Sequence, residues 1–162
     1  MDFYIENSTA HIGDQELVEL LVSAYVGGGF TQAQQAAQLF QPQDVKARGD
    51  IVSAWSNKGK RLVGIVIVVM PDYPARRLAD SDEAELHLLA VDPACQGNGV
   101  GRELLLAALD LIGSRGLQKT VLWTQPRMLA AQQLYKSLGF VRNSSRDPIF
   151  EDVQFLAYEF RR

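Results

Sequence analysis

An apolar strand pattern at Ala84 to Val91, a glycine-rich loop, a strongly amphipathic helix and a second apolar strand at Gln118 to Thr124 follow one another without interruption. This order limits the possible folds more than any other feature. Two strands separated by one helix lie parallel and side by side, joined by a right-handed crossover. The helix is expected over Gly99 to Arg115, where Leu104, Leu105, Ala108, Leu109 and Ile112 form one apolar stripe and Gly116 supplies the stop. Such a stripe needs a sheet face to cover, so the fold class is α/β, with helices layered on a central sheet.

The remaining segments make that sheet mixed. Phe3 to Glu6 reads as a short strand, and Leu17, Leu20, Leu21 and Ala24 recur at helical spacing up to Gly27-Gly28-Gly29. Thr31 is placed to cap a second helix, lined by Ala33, Ala36, Ala37 and Phe40 and stopped by Pro42. Asp50 to Ser56 and Arg61 to Met70 are rich in Val, Ile and Trp, with a turn at Asn57 to Lys60, and form an antiparallel pair. Pro71 to Asp82 reads as an exposed loop and Pro126 to Leu138 as a helix ended by Gly139. Phe140 to Arg142 and Val153 to Phe160 are the last strands. With 162 residues, no internal repeat and no low-complexity linker, residues 1–162 are read as a single domain with one site.

Composition narrows the function. Lys plus Arg number 16 and Asp plus Glu 19, a net charge of −3 with no basic cluster, which argues against nucleic acid as a partner. One cysteine, Cys95, and two histidines argue against a disulfide or a metal centre and suit a reducing cytoplasm. The longest apolar run, Leu62 to Met70, falls far short of the roughly 20 residues of a membrane helix. The acidic start, Met1 to Glu6, is unlike a signal peptide, so a cytoplasmic location and no membrane contact are expected.

The chemistry should lie in Val91-Asp92-Pro93-Ala94-Cys95-Gln96-Gly97-Asn98-Gly99-Val100-Gly101-Arg102, which joins the strand to the long helix. Glycines at 97, 99 and 101 let the backbone approach a ligand, and the N–H groups entering the helix are unpaired at the positive end of its dipole. Phosphate or pyrophosphate is the natural ligand. A glycine turn with no ligand would use the same residues, so context decides. A dinucleotide fingerprint would need Gly or Ala where Arg102 stands and an acidic residue near position 120, and a Walker loop would need Gly-Lys-Ser or Gly-Lys-Thr. Both are excluded.

Gln96, Gly99 and Gly101 match the acetyl-CoA loop of the GNAT N-acetyltransferase superfamily, which reads Gln or Arg, two residues, Gly, one residue, Gly or Ala. Upstream, Glu85 to Pro93 resembles the central strand of that family. Downstream, Leu134-Tyr135-Lys136-Ser137-Leu138-Gly139-Phe140 is similar to its second signature. The resemblance spans about Leu62 to Phe160 and implies a mixed central sheet flanked by helices, with acetyl-CoA as cosubstrate and no metal. It implies that the central strand splays from its neighbour, that the pantetheine arm bonds to the backbone of Leu89, Ala90 and Val91 like an added strand, and that the pyrophosphate rests on the N–H groups of Gly97, Asn98, Gly99, Val100, Gly101 and Arg102.

By the same resemblance, Tyr135 is the acid for the departing thiolate, and Glu85 corresponds to a strand glutamate used as base in some relatives. An N–H near Val91 would receive the developing oxyanion. Strict alternation along the strand puts Glu85, His87, Leu89 and Val91 on one face. His87 has the better unshifted pKa for work at neutral pH, Glu85 is slightly favoured, and water is the third choice of base. Met128 stands where many relatives carry a helix-starting asparagine, so one cofactor contact is expected to be lost. Cys95 has no motif of its own and is left out of the site. Acceptor choice is expected to rest on the N-terminal helices and the Pro71 to Asp82 loop, with Tyr25, Phe30, Tyr73 and Trp123 as possible pocket walls. The expected partner is an amine acceptor, on a small molecule, peptide or protein, with the protein a monomer or homodimer. A non-catalytic acyl-CoA-binding module is the alternative, and a partner subunit of the same fold the third.

Overall fold

Two segments whose residues are buried on both faces lie inside the sheet, away from its edges. They are β2 (Asp50–Ser56) and β3 (Leu62–Val69), whose residues are buried almost throughout. The computed structural model describes all of residues 1–162. Its other strands are β1 (Phe3–Glu6), β4 (Glu83–Val91), β5 (Lys119–Thr124), β6 (Val141–Arg142), β7 (Ile149–Phe150), β8 (Val153–Gln154) and β9 (Leu156–Arg161). The helices are α1 (Asp14–Leu21), α2 (Ala33–Leu39), α3 (Pro42–Ala47), α4 (Val100–Ser114) and α5 (Leu129–Ser137). The main sheet runs β1-β2-β3-β4-β5-β9-β6, with β4 and β5 parallel and the other neighbours antiparallel; β7 and β8 form a separate hairpin.

Two cores result. Between the sheet and α4 and α5, Val66, Val68, Leu86, Leu104, Leu105 and Ile112 pack together. On the other face Leu17, Leu21, Ala36, Val45, Ile65 and Ile67 join α1, α2 and α3 to the sheet. Each buried Leu or Ile contributes about 1.5–3 kcal/mol of transfer free energy. No helix is long and apolar enough to cross a membrane.

Four local expectations need correction. Thr31 does not cap α2, whose N-cap is Gln32 without a side-chain cap bond. Pro42 does not merely stop α2: it occupies the first turn of α3, where its missing N–H costs nothing. The helix expected from Pro126 begins at Leu129, and residues 126–128 form a turn. The last strand is divided at Phe155, because Glu151 and Asp152 adopt φ of 50° and 63° and close a hairpin through a two-residue turn.

Two irregularities shape the region that follows. After α1 the chain widens into one π-type stretch, Val22–Val26, which carries Tyr25. In β4 the register passes from Ile67↔His87 to Ile65↔Ala90, so Leu88 and Leu89 together face Val66 in a bulge, with Leu88 at φ 51°.

Candidate functional site

The bulge redistributes the side chains of β4. Glu85 and His87 point to the α1–α3 side, and Leu88 and Ala90 join them there, while Leu89 and Val91 turn onto the α4 side. The expected common face of Glu85, His87, Leu89 and Val91 is therefore corrected, because one extra residue reverses the alternation.

Beyond the bulge β4 leaves β5. Their parallel pairing runs only from Glu83↔Lys119 to Leu86↔Leu122, after which β5 continues to Thr124 without meeting β4. The Leu89 carbonyl accepts a bond from the Tyr25 hydroxyl at 3.0 Å, and the Val91 carbonyl one from Gln96 Nε2 at 3.4 Å. Both carbonyls thus face away from β3, whereas Ala90 pairs with Ile65 and turns its polar backbone toward that strand. Of the three residues expected to offer backbone groups, Leu89 and Val91 do so into the gap and Ala90 does not.

At the end of β4, Asp92 accepts from the Ala94 N–H at 2.8 Å and is ion-paired with Arg61, which fixes the start of the loop. Gly97 and Gly99 have φ of 76° and 84°, a conformation that favours glycine, and open space where a Cβ would stand. Gly99 is the N-cap of α4, and the first intrahelical bond there is from Glu103 N–H to the Gly99 carbonyl at 3.0 Å. The N–H groups of Val100, Gly101 and Arg102 are left free at the positive end of a 15-residue helix, with the exposed Arg102 guanidinium beside them. Gly101 serves a different purpose from the other two: a Cβ there would meet Leu134 Cδ2 at 3.1 Å and Val91 Cγ2 at 3.6 Å, so it permits α5 and β4 to approach α4.

Tyr135, on α5, is buried against Phe140 and Tyr158, with ring centroids 5.8 and 6.0 Å away. Its hydroxyl donates no hydrogen bond within the protein. Burial, reinforced by Tyr25 and Tyr158, pushes its ionisation well above the ordinary tyrosine value, so it remains a proton donor. Met128 precedes α5 without a side-chain cap, and its sulfur lies 3.5 Å from Thr124 Oγ1.

Glu85 and His87 form one buried unit. Glu85 is 0% exposed and accepts from the N–H groups of Arg77 at 3.0 Å, Leu78 at 2.6 Å and Ala79 at 2.7 Å, and from His87 Nε2 at 2.5 Å. Burial acts to raise its carboxyl, but the His87 bond and the Ala79 and Leu78 amides outweigh that and hold it below the usual range. His87 is 5% exposed, and its Nδ1 is sealed from solvent without any partner. Burial pushes the imidazole below its ordinary value against the opposing pull of Glu85, and the cations Arg48 and Arg77 add to the effect. The neutral ring therefore donates through Nε2 and keeps a lone pair on Nδ1.

Around this unit stands an aromatic wall. Trp123 meets the His87 ring edge-on at 4.9 Å, Phe150 meets Trp123 at 5.0 Å, and the Arg77 guanidinium lies 3.7 Å over the face of Phe150. Of the expected pocket aromatics, Trp123 and Tyr25 are at the site. Phe30 contributes its carbonyl to Gln125. Tyr73 is elsewhere: its hydroxyl bonds Asp50 at 2.9 Å and Arg115 at 3.1 Å, beside the C-terminal end of α4, about 20 Å from the glycine loop. Phe150, Arg77 and Arg48 were not singled out in the sequence, since their roles depend on contacts between distant segments.

The sequence matches the acetyltransferase (GNAT) family over residues 15–140. Mycothiol acetyltransferase of Amycolatopsis mediterranei is 41% identical over 71 residues, which cover 44% of this chain and 22% of that protein. The chain thus matches about a fifth of the length of such relatives. Among solved structures, an acetyltransferase of the GNAT family from Staphylococcus aureus Mu50 superposes with a TM-score of 0.77 at 16% identity, over 99% of both chains. The PaiA N-acetyltransferase of Thermoplasma acidophilum, determined in complex with coenzyme A, gives 0.72 at 16% identity over 100% of both. These two likenesses bear on the fold.

Proposed function

This chain belongs to the GNAT acetyltransferase family, and on that premise we propose that it transfers the acetyl group of acetyl-CoA to a primary amine by direct attack in a ternary complex. The observation that carries the reading is the parting of β4 from β5 after Leu86 and Leu122, beside the free N–H groups of α4. The pantetheine arm would run in that gap against the Leu89 and Val91 backbone. The pyrophosphate would rest on the loop from Gln96 to Arg102.

Three groups then divide the proton and charge traffic. The Val91 N–H, fixed by the strand, receives the negative charge that develops on the carbonyl oxygen. Tyr135, protonated at every working pH, donates to the departing sulfur. His87 Nδ1 takes the proton from the attacking amine, and Glu85 is a positioning residue that fixes the tautomer by accepting from Nε2. This reverses the ranking suggested by the family likeness, because the Glu85 oxygens are occupied and its carboxylate is held ionised. Since Nδ1 is sealed, the acceptor must displace a neighbouring side chain to reach it, and Trp123 is in contact with the ring.

The testing experiment is amine-dependent release of the CoA thiol from acetyl-CoA, screened across small amines and peptide N-termini. Release with at least one amine class supports transfer. Acetyl-CoA binding with no release for any amine would favour a binding module instead.

A further inference from the structure

Five of the eleven arginines are matched with carboxylates: Arg61 with Asp92, Arg115 with Asp50, Arg142 with Asp147, Arg146 with Glu83 and Glu159, Arg162 with Asp110. Of the six without a carboxylate partner, Arg48 alone is not exposed. It is half-buried at the end of α3, yet no carboxylate lies within ion-pair distance; the acidic groups that act on it are the Tyr25 phenol and then Asp44, one turn earlier. A partly desolvated cation without a counter-ion is costly, and a ligand carboxylate would supply the missing charge.

A second unpaired guanidinium shares the region. Arg77 is exposed, lies over Phe150, and has its backbone N–H anchored on Glu85. Gly49, next to Arg48, packs on Val68 and Val69, and Val69 is paired with Glu85 across the sheet; Arg77 acts on Arg48 and both cations act on His87 electrostatically. They converge from different elements, α3 and the loop before β4, on the side of the sheet to which His87 points. From Arg77 the aromatic wall of Phe150 and Trp123 leads by direct contacts to His87, whose buried ring nitrogen has no partner.

We propose that Arg48 and Arg77 together bind a carboxylate on the acyl acceptor and thereby bring its amine to His87, so that the substrate class is an amine bearing an anionic group on the same small molecule. The inference rests on the acetyl-transfer reading. Guanidinium forks bind carboxylates in a planar, two-bond geometry, which would fix the direction in which the amine arrives. Phe150 holds the Arg77 guanidinium over its ring. Neutral amines would leave both cations uncompensated.

The test compares ω-amino acids with their own amides, whose amines differ little in basicity, and adds ω-aminoalkyl phosphates as a second anion. Wild-type protein should turn over the carboxylates with kcat/KM at least tenfold above the amides. Arg48→Gln and Arg77→Gln should each bring that ratio toward one, a loss of roughly 10- to 100-fold for a charge-assisted pair. Arg48→Gln should not lower the melting temperature, because no native partner is lost. A phosphate preference above the carboxylate one, equal rates on acids and amides, or a ratio unmoved by the substitutions would each overturn the proposal. Binding separates its failure from that of the acyl-transfer reading. If no amine is acetylated, an ω-amino acid that still raises the melting temperature of the CoA-saturated wild type, and not of Arg48→Gln, would sustain the anion site; absence of that shift would overturn it.

Discussion

A carboxylate that accepts four hydrogen bonds in a sealed position has no free lone pair for a substrate proton, and on this rests the proposed division of labour between Glu85 and His87. Glu85→Gln keeps the shape but removes the charge on which three amides and the imidazole converge. It should cost about 2–4 kcal/mol by denaturant unfolding. Because Glu85 raises the His87 pKa while Arg48 and Arg77 lower it, Glu85→Gln should move the acidic limb of kcat/KM downward and Arg48→Gln should move it upward. Opposite shifts identify an electrostatic unit; parallel shifts would contradict it. Both groups are held below their ordinary values, so folding binds fewer protons than the unfolded chain. Their stabilisation is fully present above about pH 6.5 and is lost on acidification, first through His87 and then through Glu85. Tyr135→Phe should retain stability and CoA affinity while turnover falls about 10²- to 10⁴-fold.

At the scale of elements, the glycine loop and the β7–β8 hairpin illustrate opposite uses of left-handed backbone. Gly99→Val places a branched side chain at φ 84°, and it should lower stability by about 1–2 kcal/mol and abolish CoA binding. Gly101→Val acts differently, forcing α4 from Leu134, and should lose stability first. In the hairpin, replacing Glu151-Asp152 by Asn-Gly should raise stability by up to about 1 kcal/mol, since the turn already has both residues at positive φ. The strand, loop and helix from Ala84 to Thr124 were legible in the sequence because periodicity and glycine spacing are local properties. The bulge at Leu88 was not, as leucine gives no signal of positive φ, and that one residue undid the assignment of faces along β4. Pro126 likewise resembled a helix start while the first α5 turn is replaced by carbonyls bonded to Gln132, a contact visible only in three dimensions.

Over the whole molecule, the sheet holds the glycine loop on one side of the β4–β5 gap and, on the other, the charged region around His87 proposed to receive the acceptor. Sequence motifs pointed to the first through its glycines. Arg48, Arg77 and Phe150 come from three separate segments and join only when α3, the 71–82 loop and the hairpin close over β4. Saturating acetyl-CoA, at a hundred times its Kd, should stabilise the fold by about 2.7 kcal/mol. For a chain of this size that is a rise of roughly 5–10 °C. Absence of any rise would contradict the placement of the cofactor.

The most direct test is the pH dependence of CoA thiol release by wild-type protein and His87→Asn with one accepted amine. With His87 as base, the variant should lose about 10²- to 10⁴-fold at neutral pH and recover progressively at high pH, where the amine is already deprotonated. An equal loss at every pH, or a loss within twofold, would contradict the account.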